Sequence, residues 1–462
     1  MKKTILLLFV LLALSARAGD RAHYYRDLPF PLPEPEAPVI PDKTVSIKDF
    51  GGVGDGIALN TDAFRKAIDA LAKAGGGHLV VPAGIWLTGP LVLKDRTDLH
   101  LERGALILFS PDKALFFKKD GKGMVPAITA SKRKDVSITG EGIIDGNGEW
   151  WRAVKRGKVS DVEWAAYRRM GGTVTEDGKL WYPFDLDHYA NVAPAPQAQE
   201  ALRTHLVRFT DCERVRVAGV TLQNSPKFHL VPQRCSQVIF EGITVRCPWN
   251  AQNGDGIDIM QSTDVLVAGC TVDVGDDGIC MKGGAGAEGV KHGPCRRILI
   301  RDNTVFHAYG GFVIGSEFSG GMVDIAVLDN TFSGTDTGLR FKSGPGRGGR
   351  TENVVIAGIR MSDIQDEAVV FETGYVNVSV GTEGDRAATQ EYLPEFSGIR
   401  ISDVVCRDAR IGLAARGTRA MIHDISLKDC VFFCSEKDRD VADPAMFLLE
   451  NVRFQTYDTQ NE

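Results

Sequence analysis

From about Val45 onward, short runs rich in β-branched residues recur along the chain, each closed by turn residues. Three of them are Val215-Arg216-Val217-Ala218-Gly219-Val220-Thr221-Leu222, Val238-Ile239-Phe240-Glu241-Gly242-Ile243-Thr244-Val245 and Val265-Leu266-Val267-Ala268-Gly269-Cys270-Thr271-Val272. Further copies start at Ile298, Ile325, Val354, Ile399 and Ile422. Between Val215 and Val354 the starts lie 23 to 33 residues apart, and the longer step to Ile399 leaves room for a loop. Strand-like units at such a period, with no 3.6-residue apolar pattern inside them, predict a solenoid. The fold class expected is all-β, a right-handed parallel β-helix. A β-propeller would need antiparallel hairpins with tight two-residue turns, and these are missing.

The flanks read differently. Residues Asp20 to Asp42 are polar and proline-rich, which predicts an extended segment along the surface. Thr61 to Ala74 carries apolar residues at helical spacing (Phe64, Ala67, Ile68, Leu71, Ala72) and is expected to cap the open end of the stack, where strand edges must be covered. From Gly148 to Ala201 the repeat lapses into an insertion with Trp150, Trp151, Trp164 and Trp181, which either borders a cleft or packs onto the coil. At the start, Lys2 and Lys3 precede an apolar run from Ile5 to Leu14 and the small-residue pattern Ala16-Arg17-Ala18. That predicts a secretory signal cut after Ala18, too short for a membrane span, and an exported protein. The organisation expected is a signal at 1–18, an extended segment at 19–44 and one β-helix domain at 45–462.

Without the signal, 51 basic residues face 60 acidic ones, a net charge of −9. This speaks against nucleic acid or anionic membranes as partners, and any polyanion bound would need a local basic patch. Nine cysteines at broad spacings (212, 235, 247, 270, 280, 295, 406, 430, 434) read as small core residues, with Cys430 and Cys434 a possible pair. No Cys/His cluster has zinc spacing, and neither a metal nor a cofactor is expected.

The candidate chemistry is acidic. Asp276 and Asp277 stand side by side in Gly275-Asp276-Asp277-Gly278, and Asp255 lies one repeat earlier in Asn253-Gly254-Asp255-Gly256-Ile257-Asp258. Adjacent carboxylates between glycines gain no apolar contact and raise each other's pKa, so packing does not explain them. A spacing of about one coil could turn all three toward one cleft, as cleavage of a glycosidic bond needs. A solvated acidic turn or a calcium site is the plainer alternative.

Four stretches together resemble the polygalacturonase family of glycoside hydrolases (family 28). They are Asn253 to Asp258, Gly275 to Ile279, Gly310-Gly311-Phe312-Val313-Ile314-Gly315-Ser316-Glu317 and Arg340-Phe341-Lys342, with Asn224-Ser225-Pro226 upstream. The likeness covers roughly Val45 to Glu372, and the ordered set is far more specific than any one motif. The resemblance implies single-displacement hydrolysis with inversion: Asp276 protonates the leaving oxygen, and Asp255 and Asp277 hold and deprotonate the attacking water. It also makes Arg340 and Lys342 the pair that binds a galacturonate carboxylate, with Lys282 and Arg350 weaker candidates of the same kind. His229 is a candidate subsite contact. Where the family carries histidine in a Gly-His-Gly-Gly-Phe-type run, this chain has Tyr309, which stays neutral at pH 7; His307 is a possible substitute.

The substrate implied is a pectic polysaccharide or oligogalacturonide, cut by a monomeric enzyme. A rhamnogalacturonan or branched-pectin galacturonidase is a close variant. A pectate lyase, which needs calcium and a basic proton abstractor, and an inactive pectin-binding protein are the readings from other classes.

Overall fold

A computed structural model describes residues 21–120, 123–189, 201–375 and 391–457. The expected signal at 1–18 lies outside them. The chain winds into a parallel β-helix whose coils each contribute strands to three stacks. The first stack runs through Val207–Thr210, Leu230–Gln233, Ile257–Met260, Ile279–Lys282, Phe312–Ile314 and Leu339–Lys342, all paired in parallel. The second runs through Glu213–Ala218, Ser236–Glu241, Thr263–Ala268, Cys295–Arg301, Met322–Leu328 and Thr351–Ser362. The third is short and opens on a ladder of threonines, Thr221, Thr244, Thr271, Thr304 and Thr331.

The repeat starts read from the sequence are register partners: Val215, Val238, Val265, Ile298, Ile325, Val354 and Ile399 pair in turn, and all are buried. The last is a correction. Ile399 pairs with Ile425, not Ile422, which bridges instead to Phe396. Alternating residues point inward, so each coil buries its apolar set against the coils above and below.

The residue before each start bends the chain from the first stack into the second with a positive φ, as at Arg214, Gln237, Asp264, Arg297, Asp324 and Asn353. Side chains at these corners bond from coil to coil. Arg214 pairs with Asp135 at 2.7 Å, Gln237 and Arg297 both donate to Asp264, and Asn353 donates to Asp324 at 2.7 Å. These contacts offset part of the cost of left-handed backbone at non-glycine residues.

The outer face of the second stack is apolar too (Ile239, Leu266, Leu299, Leu328), and the proline-rich N-terminal segment lies over it with Tyr24, Tyr25, Leu28, Phe30 and Leu32. Its backbone is tied down at Glu36 to Gln237 (2.7 Å) and at Val39 to Asp135 (2.9 Å), while Arg301 donates to the carbonyls of Tyr24 and Arg26. At the N-terminal end of the stack, helix α1 (Thr61–Lys73) buries Phe64, Ala67, Ile68 and Leu71 against the first coils. All nine cysteines are free and buried, so Cys430 and Cys434 form no pair.

The insertion folds on itself as helix α2 (Asp161–Arg169) and a small antiparallel sheet of Val154–Lys155, Thr173–Val174 and Leu180–Tyr182. Ser160 and Glu163 form the reciprocal cap that starts α2. Its aromatics divide between the coil, the insertion itself and the surface. Trp151 packs edge-on against Phe116 in the core and Trp181 is buried against Tyr167, whereas Trp150 is 45% exposed.

Candidate active site

The turns that lead from the third stack into the first line up along one side of the solenoid. Counting back from the paired strand starts Ile257, Ile279 and Phe312, Asp255 and Asp277 occupy equivalent positions in adjacent coils, and so do Asp276 and Tyr309. The backbone locks this register: Gly256 N–H donates to Asp277 O, Gly278 N–H to Gly310 O and Tyr309 N–H to Asp276 O, each at 2.9 Å. The three carboxylates therefore converge, with one oxygen of each within 4.8 Å of the others.

Gly275 makes this approach possible. A Cβ there would stand 2.6 Å from Ala251 O and 2.7 Å from Pro248 O, so the turn bearing Asp276 nests against the preceding turn only without a side chain.

The acids have different environments. Asp276 is half-buried; its Oδ2 accepts from Asn253 N–H and its Oδ1 from Asp277 N–H, both at 3.0 Å. Burial and the neighbouring Asp277 raise its pKa. Burial pushes Asp277 up as well, but Lys342, Lys282 and Arg340 outweigh it and hold that carboxyl down at about 2. Lys342 Nζ donates to both its oxygens at 2.8 and 3.1 Å, and Arg340 stands 3.6 Å away. Asp255 is raised by burial, then by Asp258 and Asp276, and its Oδ1 has no protein partner. Of the three acids, Asp277 is the one whose charge its neighbours favour.

Several predicted contacts move. Lys282 is buried and its ammonium stands 3.2 Å from Asp258 and 3.6 Å from Asp255, so its charge serves these acids rather than a ligand. Lys342 is similarly engaged, leaving Arg340, 20% exposed at its side chain, the more open cation of the pair. Arg350 pairs with Glu395 on the surface. His229 does not line the cleft. It is fully buried, Ser225 N–H donates to its Nε2 at 3.1 Å, and its Nδ1 meets the carbonyl of Asp255 at 2.9 Å. Burial lowers its pKa to about 4, which fixes a neutral ring that props the turn of Asp255. His307 stacks flat on Trp249 at 4.3 Å and meets the carbonyl of Val274 with its Nδ1.

Three residues of the site were not singled out from the sequence. Asp258 was visible: in Ile257-Asp258-Ile259 and Ile279-Cys280-Met281-Lys282, alternation puts Asp258 and Lys282 on the same outer face. Tyr375, whose ring lies 5.8 Å from the Arg340 guanidinium and 5.2 Å from the Lys342 ammonium, carried no local signal. Neither did Lys158, brought in by the insertion to 4.5 Å from the ring centre of Tyr309. Lys282, Lys342 and Arg340 stand beside the acids and offset part of their charge.

The sequence profile described as glycosyl hydrolases family 28 matches residues 167–427. A "Probable polygalacturonase" of Vitis vinifera is 30% identical over 391 residues, 81% of this chain and 70% of that protein. An exo-poly-alpha-D-galacturonosidase of Dickeya chrysanthemi is 29% identical over 384 residues, and this chain spans 62% of its length. Among solved structures, a hyperthermoactive exopolygalacturonase from Thermotoga maritima superimposes with a TM-score of 0.73 at 28% identity, covering 91% of this chain and 94% of that one. The chain belongs to glycosyl hydrolases family 28.

Proposed function

We propose that the protein hydrolyses α-linked galacturonic acid in pectic polysaccharides or oligosaccharides, with Asp276 as general acid and Asp277 as the base that activates water. The observation that carries this reading is the split between two adjacent carboxyls: Asp276 is pushed toward its protonated form, while Lys342 and Arg340 keep Asp277 ionised. Opposite protonation states at neighbouring groups are what concerted acid and base catalysis requires. Asp276 delivers its proton to the glycosidic oxygen as the bond breaks. Asp277 takes a proton from the incoming water, which Asp255, with an oxygen within 4.8 Å of the other two acids, helps to hold. Arg340 offers a guanidinium to the substrate carboxylate.

The family resemblance supports inversion. Action from the chain end is supported by the insertion, which occupies the same inter-stack turn one coil before Asn224 and stands beside the cleft. Export is supported by the basic, apolar and small-residue pattern of residues 2–18. No helix among the described residues is long and apolar enough to cross a membrane.

The test is product analysis on polygalacturonate, rhamnogalacturonan and their oligomers without calcium, for the parent and Asp276→Asn. Saturated galacturonate from the parent, with kcat lowered about 10²–10⁴-fold in the variant, is the expected result. An unsaturated product would replace hydrolysis with elimination, and proton NMR of the first-formed anomer separates inversion from retention.

A further inference from the structure

Asp276 is one rung of a ladder. Counting back from the paired strand positions Ile279, Phe312, Leu339 and Val369, the residues Asp276, Tyr309, Asp336 and Asp366 occupy equivalent places in four successive coils. The backbone keeps the rungs in register: Tyr309 N–H donates to Asp276 O at 2.9 Å and Asp366 N–H to Asp336 O at 2.8 Å. An aromatic ring thus interrupts a row of carboxyls, with an acid in the coil on each side, about 4.8 Å along the axis.

Lys158 reaches this ring from outside the solenoid. The insertion delivers it on a fixed turn. Arg156 N–H donates to Lys179 O at 2.8 Å, the Arg156 guanidinium donates to Val159 O at 2.9 Å, and Ser160 caps α2 directly afterwards. The Lys158 ammonium lies 4.5 Å from the centre of the Tyr309 ring and donates to the carbonyl of Gly275, the residue before Asp276, at 3.4 Å. It is about half-buried, yet it forms no ion pair among the described residues. Burial lowers its pKa and Lys155 adds to this, while Asp276, Asp336 and Cys247 work against it.

The state of Asp276 explains a cation within reach but unpaired. In the resting site, burial and Asp277 raise the Asp276 pKa and favour a neutral carboxyl, which gives the ammonium little to attract. Once Asp276 passes its proton to the glycosidic oxygen, a carboxylate stands beside a cation already in place. That attraction grows in the transition state, which is the condition for raising kcat. Lys342 and Lys282 also act on Asp276, but their ammonium groups are engaged by Asp277 and Asp258. Tyr309 brings no charge of its own, because burial, then Asp276 and Asp336, raise its pKa.

We propose that Lys158 is a positioning residue for the general acid: tethered to Gly275 and seated on Tyr309, its ammonium holds the turn of Asp276 and stabilises the carboxylate left when the proton departs. This rests on the proposed hydrolysis and gives the insertion a part in the chemistry.

The experiment measures kcat and KM across pH on polygalacturonate for the parent, Lys158→Met, Lys158→Gln and Lys158→Arg. Lys158→Met removes tether and charge together, so kcat falls about ten- to hundredfold while KM changes little. Losing the cation weakens the acid. The alkaline limb of the kcat/KM profile, where Asp276 gives up its proton, therefore moves up by about one unit. Lys158→Gln can still donate to Gly275 O but moves the limb as far as Lys158→Met does, whereas Lys158→Arg keeps the charge and leaves the limb near its parent position. A loss of folded protein lowers the rate at every pH alike, so the limb separates the two causes. In an Asp276→Asn background, Lys158→Met costs nothing further, because the carboxylate it serves is gone. A limb unmoved in Lys158→Met overturns the inference, and so does a full extra penalty in the Asp276→Asn background. A raised KM with kcat unchanged also overturns it and makes Lys158 a substrate contact. With an active parent these results sink this inference alone, whereas a parent inert on every uronate oligomer sinks the proposed function with it.

Discussion

Lys342 donates to both carboxylate oxygens of Asp277, across two coils of the solenoid. Both groups are almost wholly buried, so each is the other's condition for staying charged. The site holds this pair of charges in place before substrate arrives.

Lys342→Met should therefore destabilise the protein by about 3 kcal/mol at pH 7, because an ionised Asp277 would be left without its nearest partner. The sign with pH follows from the depressed pKa. Asp277 sits at about 2 in the folded state, below the ~3.9 of free aspartate, so its contribution is full above pH ~4 and lost as pH falls toward 2. Urea unfolding at several pH values should show parent and variant converging over that window. In activity, the acidic limb of the pH profile moves upward, since the base becomes harder to ionise.

Asp258→Asn should act on a different ionisation, that of Asp255, and move it downward. Asp258 is raised to about 6 by burial, and its charge is one of the causes that raise Asp255. A neutral amide leaves Lys282 to act on Asp255 alone, so Asp255 ionises at lower pH, with a shift of about one unit. The kcat/KM profile between pH 3 and 7 reads this directly, and an upward shift would contradict the arrangement.

Gly275→Ala should separate geometry from stability. The added methyl must displace the carbonyls of residues 248 and 251, and with them Asp276. A shift of about 1 Å costs on the order of 10²-fold in rate, while overpacking at one turn costs about 1–3 kcal/mol. Kinetics beside thermal unfolding should show activity falling well before the fold does.

Much of the architecture was legible because a stacked coil repeats its own constraints. Val215, Val238, Val265 and Ile298 each meet the same neighbours above and below, so each position selects the same kind of residue. Ile422 was misread because it sits in the turn that bridges to Phe396, three residues before the strand start at Ile425, and an isolated apolar residue near a turn imitates a strand start. Within the site, the three acids declare themselves by having no packing purpose. Lys158 does not, because an insertion's aim is decided by tertiary packing about 120 residues away in sequence from Asp276. His229 shows the converse: its place one coil before Asp255 was readable, but its service to the backbone was not.

The proline-rich segment over the second stack has a further consequence. A solenoid in which each coil touches only its neighbours frays like a zip, one rung at a time from a free end. Here one stretch of chain is fastened to the strands holding Asp135, Gln237 and Arg301, and its aromatics span those between. It is a splint. Loss of a single middle rung would strain anchor points on either side of it, so the coils that carry the acids are bound to melt together with the coils that flank them.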